Sequence, residues 1–345
     1  MTQMWTGKRV LVTGGASFIG MHLVAALHRR GAKVRVVDDL SRGSLDRITT
    51  SANNGECEFF KADVRSSYAR NELVHGAEII FHLAARHGGR YFIENNDALI
   101  ADNFSIDEAV FAAADKARVR HVVLASSACV YPQSLQVEPS SPLREEMVGP
   151  PDAADHVYGV AKLAAEHCIQ EYVRRGRLDA AICRYFTVYG PGSPEDHSVT
   201  ALIAKACLGA DPLPVWGSGT QVRTWVFVDD VVEATIMAAE SVTDGTPINI
   251  GTTESYTILE AARLIALRCG RSGHVVPMLS MPTGPQWRVP CILRAQSLLR
   301  WKPKVYFEEG VQRTIKWFRS ERMAGETLDR LNGLLLGPSA VSRIS

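Results

Sequence analysis

The sequence predicts an α/β fold in which a doubly wound parallel sheet is followed by a smaller mixed α/β domain. Through the first half of the chain, short β-branched runs alternate with helical patterns. A glycine-rich turn joins the first strand to the first helix, and from about Tyr185 onward the pattern changes to loops rich in Gly and Pro. A length of 345 residues is enough for one large domain or two unequal ones.

Six strands are predicted in chain order, at RVLVTGG, KVRVVDDL, CEFFKADV, EIIFHLAA, HVVLASSACVY and AAICRYFTVYG. Apolar strands separated by helices indicate a parallel sheet covered on both faces, and right-handed crossovers then make it doubly wound. The first helix shows the expected period, with Ile19, Leu23, Ala26 and Leu27 on one face and Gly31 just past its end.

The predicted domain boundaries follow these changes of pattern. Residues 1–184 are predicted to form a dinucleotide-binding domain of the Rossmann type, to which residues 225–250 return. Residues 185–224 and 251–320 would form a substrate-binding domain, and residues 321–345 a C-terminal tail. In the second domain, Thr257 and Glu260 have capping-box spacing before an amphipathic stretch that ends at Gly270.

The composition excludes several classes of protein. A hydrophobic content of 46%, a charged content of 22% and a net charge of +1 give no field that would attract nucleic acid or a membrane surface. No apolar run has the length of a membrane span, and the N-terminal run lacks the pattern of an export signal. Seven singly spaced cysteines without CxxC spacing indicate neither a disulfide framework nor a metal site. We therefore expect a cytoplasmic protein without metal.

The run TGGASFIG after the first strand predicts a site for the pyrophosphate of a dinucleotide. Gly14 permits the tight turn, Gly20 lets the helix pack on the strand, and the helix N-terminus offers free N–H groups. Ser17 stands where a middle glycine is expected. Asp38, at the end of the second strand, can accept both ribose hydroxyls and would repel a 2′-phosphate, which favours NAD over NADP despite Arg42 nearby.

The predicted cofactor site extends along the sheet edge. Asp63, after the third strand, is placed either to meet the adenine edge or to cap its own turn. The full set of predicted cofactor-binding residues is Gly14, Ser17, Phe18, Ile19, Gly20, Asp38, Asp63, Val64, Leu83, Ala84, Ala85, Asn103, Tyr158 and Lys162.

Three residues predict hydride chemistry at an alcohol. Tyr158 and Lys162 are four residues apart on one face of a predicted helix. An ammonium lowers the pKa of a phenol, so that a phenolate can take the proton of a sugar hydroxyl as hydride leaves the carbon. Ser127, at the end of the fifth strand, would hydrogen-bond the same oxygen.

Runs over nearly the whole chain resemble those of the extended short-chain dehydrogenase/reductases that act on nucleotide sugars. The match is strongest to the GDP-mannose 3,5-epimerase branch, in the runs HGGRYFIENN, DNFSIDEAVFAAA, SSACVYP, YGVAKLAAE, WGSGTQVRTWVFVDD and NIG. The resemblance extends from about Lys8 to about Phe318. It implies an enzyme with tightly bound NAD that inverts C3 and/or C5 of a nucleotide-linked sugar through a transient 4-keto intermediate.

The resemblance also implies an acid–base pair for the inversion. In the resembled enzymes a cysteine and a lysine act on opposite faces of the sugar ring. Cys129 matches the cysteine, and a thiol whose pKa is lowered near a cation or helix end would serve as a base near neutrality. His197 stands where the lysine is expected, and an imidazolium can donate a proton. If His197 does no chemistry, inversion at one carbon only is better supported.

The resemblance assigns the grip on the nucleotide sugar to Gly88, Gly89, Ser127, Cys129, Thr187, Arg223 and Arg288. The two arginines match residues that bind the diphosphate, which suits the guanidinium fork. Thr187 and Cys291 stand where the family often has Asn and Asp, so the base and the sugar stay open. The stretches DNFSIDEAVFAAADKA and AKLAAEHCIQEYVRR resemble the helices of a dimer seam, which implies a homodimer.

Three alternatives stay open to different degrees. A 4,6-dehydratase would carry an Asp–Glu pair where this chain has Ala128 and Cys129. A UDP-sugar 4-epimerase needs only Ser127, Tyr158 and Lys162, but it leaves Cys129 unexplained. A non-catalytic NAD-binding module on this fold would have no need of the Tyr–Lys pair.

Overall fold

A computed structural model describes residues 4–46, 48, 57–137, 142–150, 153–281 and 283–321. Of the predicted tail, residues 322–345 lie outside the described residues.

Seven parallel strands form the central sheet. Its strands are β1 (Arg9–Thr13), β2 (Lys33–Asp38), β3 (Cys57–Lys61), β4 (Ile79–His82), β5 (His121–Ser127), β6 (Asp179–Tyr185) and β11 (Asp244–Ile250). The spatial order is β11-β6-β5-β4-β1-β2-β3, and every neighbouring pair is parallel. The order runs in opposite directions from β1, so the predicted doubly wound parallel sheet is confirmed.

Helices cover both faces of this sheet. They are α1 (Phe18–Arg29), α2 (Arg90–Asn95), α3 (Asp97–Lys116), α4 (His156–Arg174), α5 (Ser198–Leu208), α6 (Val228–Ser241), α7 (Ile258–Arg268), α8 (Leu293–Leu299) and α9 (Phe307–Glu321). Val10 and Val12 of β1 pack on the side of α1 and α6, whereas Leu11 packs on the side of α3 and α4. The period of two in a strand therefore divides the apolar residues between two buried layers.

The remaining strands are short and form small sheets beyond β6. They are β7 (Val188–Tyr189), β8 (Leu213–Trp216), β9 (Val222–Thr224), β10 (Val226–Phe227), β12 (Ser255–Thr257), β13 (Val275–Met278) and β14 (Trp287–Arg288). A π-helical turn lies at Ala69–Leu73, and 3-10 turns lie at Ala128–Val130, Gln133–Gln136 and Glu145–Met147. The capping box of Thr257 and Glu260 is present at the start of α7. The division into two domains stays a prediction.

The structure differs from the prediction at the sixth strand. The run AAICRYFTVYG is split, because β6 ends at Tyr185 and β7 pairs with β10. Phe186 N still donates to Ile250 O at 3.0 Å, but Val226 N donates to Thr187 O at 3.0 Å and draws the chain out of the sheet. The strand β11, which the sequence analysis did not single out, pairs with β6 at the sheet edge.

Candidate active site

A cavity of about 770 Å³ opens at the carboxyl end of the sheet. Its lining includes Ser17 after β1, Ser127 at the end of β5 and Tyr158 on α4. Trp216 and Arg223 line it from the part of the chain beyond β6. Ligands of doubly wound folds bind outside the carboxyl ends of the strands, so this cavity is the natural candidate for an active site.

The glycine turn has the shape that a pyrophosphate requires. Gly14 has a φ of +71°, and a Cβ there would lie 2.8 Å from Ala84 N. A Cβ on Gly20 would lie 2.3 Å from Gly14 O. Ser17 caps α1: its hydroxyl donates to Gly14 O at 2.6 Å and accepts from Gly20 N at 3.4 Å. The serine thus supports the turn where a middle glycine was expected, and the N-terminus of α1 fits a dinucleotide phosphate.

The carboxylate of Asp38 is buried and partly committed. It accepts from Ala16 N at 3.0 Å and from Leu40 N at 2.8 Å, one bond for each oxygen. A carboxylate has about four acceptor positions, so capacity for ribose hydroxyls remains. Asp63 instead accepts from Arg65 N at 2.8 Å and pairs with the Arg65 guanidinium at 2.7 Å. The turn-capping alternative for Asp63 is the one seen.

The other predicted cofactor residues lie around this turn. Phe18 and Ile19 line the large cavity, and Val64, Leu83, Ala84 and Ala85 line a smaller recess next to Asp38. Asn103 is fully buried, where its amide accepts from Arg86 N at 2.7 Å and donates to Arg86 O at 2.9 Å. Asn103 therefore holds the loop after β4 in place, and in this structure both ends of its amide are already paired.

The phenol of Tyr158 does not have the lowered pKa that the sequence predicted. Burial, followed by the charges of Cys129 and Asp107, raises its pKa, and a hydrogen bond with Ser127 only partly opposes this. The ammonium of Lys162 lies 3.5 Å from Asp107 Oδ1 and is buried with it. Because the lysine charge is matched by a carboxylate, its effect on the phenol is weakened.

The predicted lowering of the Cys129 pKa is also wrong for this structure. The thiol lines the cavity and is only 7% exposed. Burial raises its pKa, and the guanidinium of Arg288, whose Nη1 lies 3.6 Å from Cys129 Sγ, opposes the rise without cancelling it. The sulfur nevertheless faces a cation within the cavity rather than an aliphatic layer.

His197 lies on the cavity wall at the residue before α5. Among the described residues its Nε2 has no hydrogen-bond partner, and its ring lies 6.1 Å from that of His87. The His87 ring lies in turn 6.5 Å from that of Tyr158. Burial lowers the pKa of His197, although Asp196 opposes this, so the ring is mainly neutral at pH 7. The expected imidazolium is therefore a minor form here.

The glycine pair brings two loops into contact at the cavity. A Cβ on Gly89 would lie 1.9 Å from Asp196 O, so only glycine permits this approach. Gly89 N donates to Asp196 Oδ2 at 3.2 Å, and the same oxygen accepts from Arg42 at 2.6 Å. Gly88 packs against Phe92, which a Cβ at Gly88 would approach to 2.8 Å. These contacts hold the loop that carries His197.

Residues 10–251 match the model of the NAD dependent epimerase/dehydratase family. The chain belongs to this family. The predicted relationship and the predicted NAD cofactor are thereby confirmed at the level of the family.

Relatives of this epimerase/dehydratase family member act on different nucleotide sugars. It is 31% identical to UDP-N-acetyl-alpha-D-glucosaminuronate decarboxylase of Bacillus cytotoxicus over 90% of this chain and 98% of the relative. It is 28% identical to GDP-mannose 3,5-epimerase 1 of Oryza sativa subsp. japonica over 92% and 84%. The UDP-glucose 4-epimerase of Thermus thermophilus, solved in complex with NAD, superposes with a TM-score of 0.80 at 27% identity over 91% and 99%.

This family member has a cluster of cations that the sequence analysis identified only in part. Arg90, Arg223 and Arg288 all line the cavity. Asp155 is fully buried and accepts from Arg90 at 3.0 Å and from Arg288 at 2.6 Å. Burial, and then the charges of Arg288 and Arg90, lower the pKa of Arg223 to about 9. With one carboxylate among three guanidinium groups, the cluster favours an anionic ligand.

Sequence reasoning missed Arg90, Asp155 and Lys205 in this site. Lys205 on α5 is 4% exposed, and its Nζ lies 5.6 Å from the centroid of the Trp216 ring. Burial lowers the pKa of Lys205 to about 8. No local motif marks these residues, since each gains its place from elements distant in the chain. In the described part of this family member, no helix has the length and apolar character needed to span a bilayer.

Proposed function

We propose that this chain is an NAD-dependent nucleotide-sugar epimerase that inverts C3 and/or C5 through a transient 4-keto intermediate, like GDP-mannose 3,5-epimerase. The observation that carries the proposal is the position of Cys129. Its thiol shares one cavity with Ser127 and Tyr158 and faces Arg288 at 3.6 Å. Oxidation at C4 acidifies the protons on C3 and C5, and Cys129 is the group placed to exchange one of them.

The proposed sequence of proton transfers uses three groups. Tyr158 takes the proton of the C4 hydroxyl, with Ser127 bound to the same oxygen, and Lys162 supplies the positive charge of the site. NAD, when bound, accepts the hydride from C4 and later returns it. Cys129 takes the proton of the neighbouring carbon, and His197 delivers a proton to the opposite face.

The raised pKa values constrain when this chemistry can occur. Burial raises the pKa of both Tyr158 and Cys129 in the ligand-free structure. A positive charge nearby favours the anionic form of either group, so deprotonation is expected in the complex with oxidised cofactor. His197 must carry a proton to act as an acid, and burial lowers its pKa. Inversion by His197 is therefore expected to decline with rising pH below the range of free imidazole.

Arginines and small loop residues would hold the substrate. Arg223 and Arg288, with Arg90 beside them, supply the positive charge for the diphosphate. Gly88 and Gly89 let the loop after β4 approach the ligand, and Thr187 lines the sugar end of the cavity. Lys205 and Trp216 lie beyond, where a nucleobase would fit.

Cys129→Ser tests the proposal directly. The variant should still reduce bound cofactor with a substrate sugar, while incorporation of solvent deuterium at the inverted carbon falls by about 10²–10⁴-fold, since serine is far too weak a base. The measurement is proton NMR and mass analysis of sugars recovered from heavy water. Cys168→Ser, which changes a half-buried thiol on α4 that is absent from the cavity lining, is the control and should incorporate deuterium normally. Full incorporation in Cys129→Ser would remove Cys129 from the mechanism.

The same experiment, run with a panel of substrates, identifies the sugar. GDP-, UDP- and dTDP-hexoses are each incubated with the enzyme in heavy water. The carbon that gains deuterium reports C3 or C5, and a product inverted at C4 without deuterium would support the alternative UDP-sugar 4-epimerase. Absence of any turnover with the cofactor still oxidised would support a non-catalytic NAD-binding module.

Decarboxylation of a UDP-uronic acid is a second candidate, favoured by the position of Arg288. Its guanidinium is next to Cys129 at the sugar end of the cavity, where a cation can hold a C6 carboxylate. A 4-keto uronic acid loses CO₂ readily, and a protonated thiol, which the raised pKa of Cys129 favours, could then protonate C5. Release of CO₂ from UDP-glucuronate would establish this reaction in place of epimerisation.

We further propose a cytoplasmic homodimer. The predicted seam lies on α3 and α4, where Leu99 and Phe104 of α3 are each 42% exposed. Every cysteine among the described residues is a free thiol, which suits a reducing compartment. A monomeric mass in solution would contradict the dimer.

A further inference from the structure

A chain of buried polar groups leads from the glycine turn to the lysine of the site. Ala84 N donates to Thr13 Oγ1 at 3.3 Å, and Thr13 Oγ1 lies 2.7 Å from His82 Nδ1. His82 Nε2 lies 2.9 Å from Asp107 Oδ1, and Lys162 Nζ donates to the same oxygen at 3.5 Å. Because a carboxylate only accepts, Nε2 of His82 carries the proton and Nδ1 accepts from the threonine hydroxyl.

The charges in this chain of groups are isolated from water. The exposed fractions of His82, Asp107 and Lys162 are 0%, 3% and 1%. Burial lowers the pKa of His82, which is therefore neutral. Burial also acts to raise the pKa of Asp107, but Lys162 and then His82 outweigh it, and the pKa stays below its usual value. The lysine and the aspartate thus form the charged pair, and each would be costly to bury alone.

We propose that Asp107 is a positioning residue, whose carboxylate holds the buried Lys162 ammonium and sets the electrostatic environment of the Tyr158 phenol. The glycine-turn motif and the Tyr–Lys spacing do not require it. The inference deepens the proposed function, because it concerns the residue that exchanges the C4 hydroxyl proton. It follows that the enzyme works with a Lys162 charge already balanced by Asp107, and that the phenol ionises at higher pH than beside a lone ammonium.

The sign of the effect follows from the charges that face the pair. Asp107 is approached by His82 from β4 and by Lys162, Tyr158 and Cys168 from α4. The other titratable groups that face Tyr158 or Lys162 are Cys129, after β5, and His87, after β4. A neutral side chain at 107 removes the negative charge. Whichever of Tyr158 and Lys162 then releases a proton first, the pair loses it at a lower pH.

Asp107→Asn tests this assignment, since asparagine keeps the shape and the acceptor for His82 but not the charge. The phenol is titrated by tyrosinate absorbance in the holoenzyme, and subtraction of the matching Tyr158→Phe protein isolates Tyr158. In Asp107→Asn the midpoint should fall by about one pH unit or more relative to wild type. Glu108→Gln removes an exposed carboxylate from the next position of α3 and should leave the midpoint unchanged. An unchanged midpoint in Asp107→Asn would overturn the proposal.

A second measurement remains decisive if Asp107→Asn unfolds too readily to titrate. The double variant Asp107→Asn/Lys162→Met carries neither charge and leaves no buried ion unpaired. It should melt at a higher temperature than Asp107→Asn alone. Losses that simply add in the double variant would show that Asp107 does not serve Lys162. Neither measurement needs turnover, so a failure of the epimerase proposal, seen with Cys129→Ser, is distinguishable from a failure here.

Discussion

Tyr158→Phe should reduce the rate of cofactor reduction by a substrate sugar by about 10²–10⁴-fold, the usual contribution of a positioned acid–base group. The variant lacks the oxygen that takes the C4 hydroxyl proton, and the ring still fills the buried space beside Ser127. Binding of the nucleotide sugar should change little, since the arginine cluster is untouched. Rapid-mixing absorbance of reduced nicotinamide measures the rate, and calorimetry measures the affinity.

Tyr185→Phe is the matched control for this experiment. Tyr185 also lines the cavity, but its hydroxyl is committed to Thr235 Oγ1 at 2.8 Å. We expect the control to reduce cofactor at close to the wild-type rate. If Tyr158→Phe does the same, then Tyr158 takes no part in proton transfer and the proposed mechanism fails at its first step.

Glu166→Gln should lower the free energy of unfolding by about 3–5 kcal/mol, because it leaves the Arg184 guanidinium buried without its counter-charge. The two side chains are 2% and 4% exposed and meet at 2.6 Å between Arg184 Nη2 and Glu166 Oε2. Arg184 also donates to Glu145 O at 2.8 Å, and Ser126 donates to Glu166, so the pair joins β5, β6 and α4. Urea denaturation followed by circular dichroism gives the change.

An exposed ion pair on the same helix provides the comparison. Glu171 of α4 pairs with Arg174 at 2.7 Å, and both side chains are more than a third exposed. Glu171→Gln should therefore cost about 0–1 kcal/mol. In Glu166→Leu/Arg184→Met, where no ion is left buried, much of the loss should be recovered. A loss below about 1 kcal/mol for Glu166→Gln would show that the buried pair is not the anchor described here.

Local patterns in the sequence predicted the elements that depend on nearby residues. The glycine turn, the N-cap region of α1 and the helical spacing of Tyr158 and Lys162 were all found where the sequence placed them. Each is specified by a few consecutive residues, so a single sequence carries the signal. The split of the sixth strand was not predicted, because the hydrogen bond from Val226 to Thr187 joins positions far apart in the chain.

The electrostatics of the site could not be predicted in the same way. The sequence analysis expected lowered pKa values for Tyr158 and Cys129, and the structure shows both raised. It treated Arg288 as a diphosphate ligand, whereas in the structure the guanidinium contacts Cys129 and Asp155. A pKa depends on burial and on charges brought from other elements, and neither is visible in a motif.

By itself, the sequence determined that this chain has a doubly wound parallel sheet, a dinucleotide turn and a hydroxyl-oxidising Tyr–Lys pair, because these features follow from period and spacing within single elements. Only the tertiary structure decided that Asp107 balances Lys162, that Asp155 gathers Arg90 and Arg288, and that Gly89 touches Asp196. Those contacts join residues up to 133 positions apart. They exist only once the folded sheet has brought the loops together and removed the water between them.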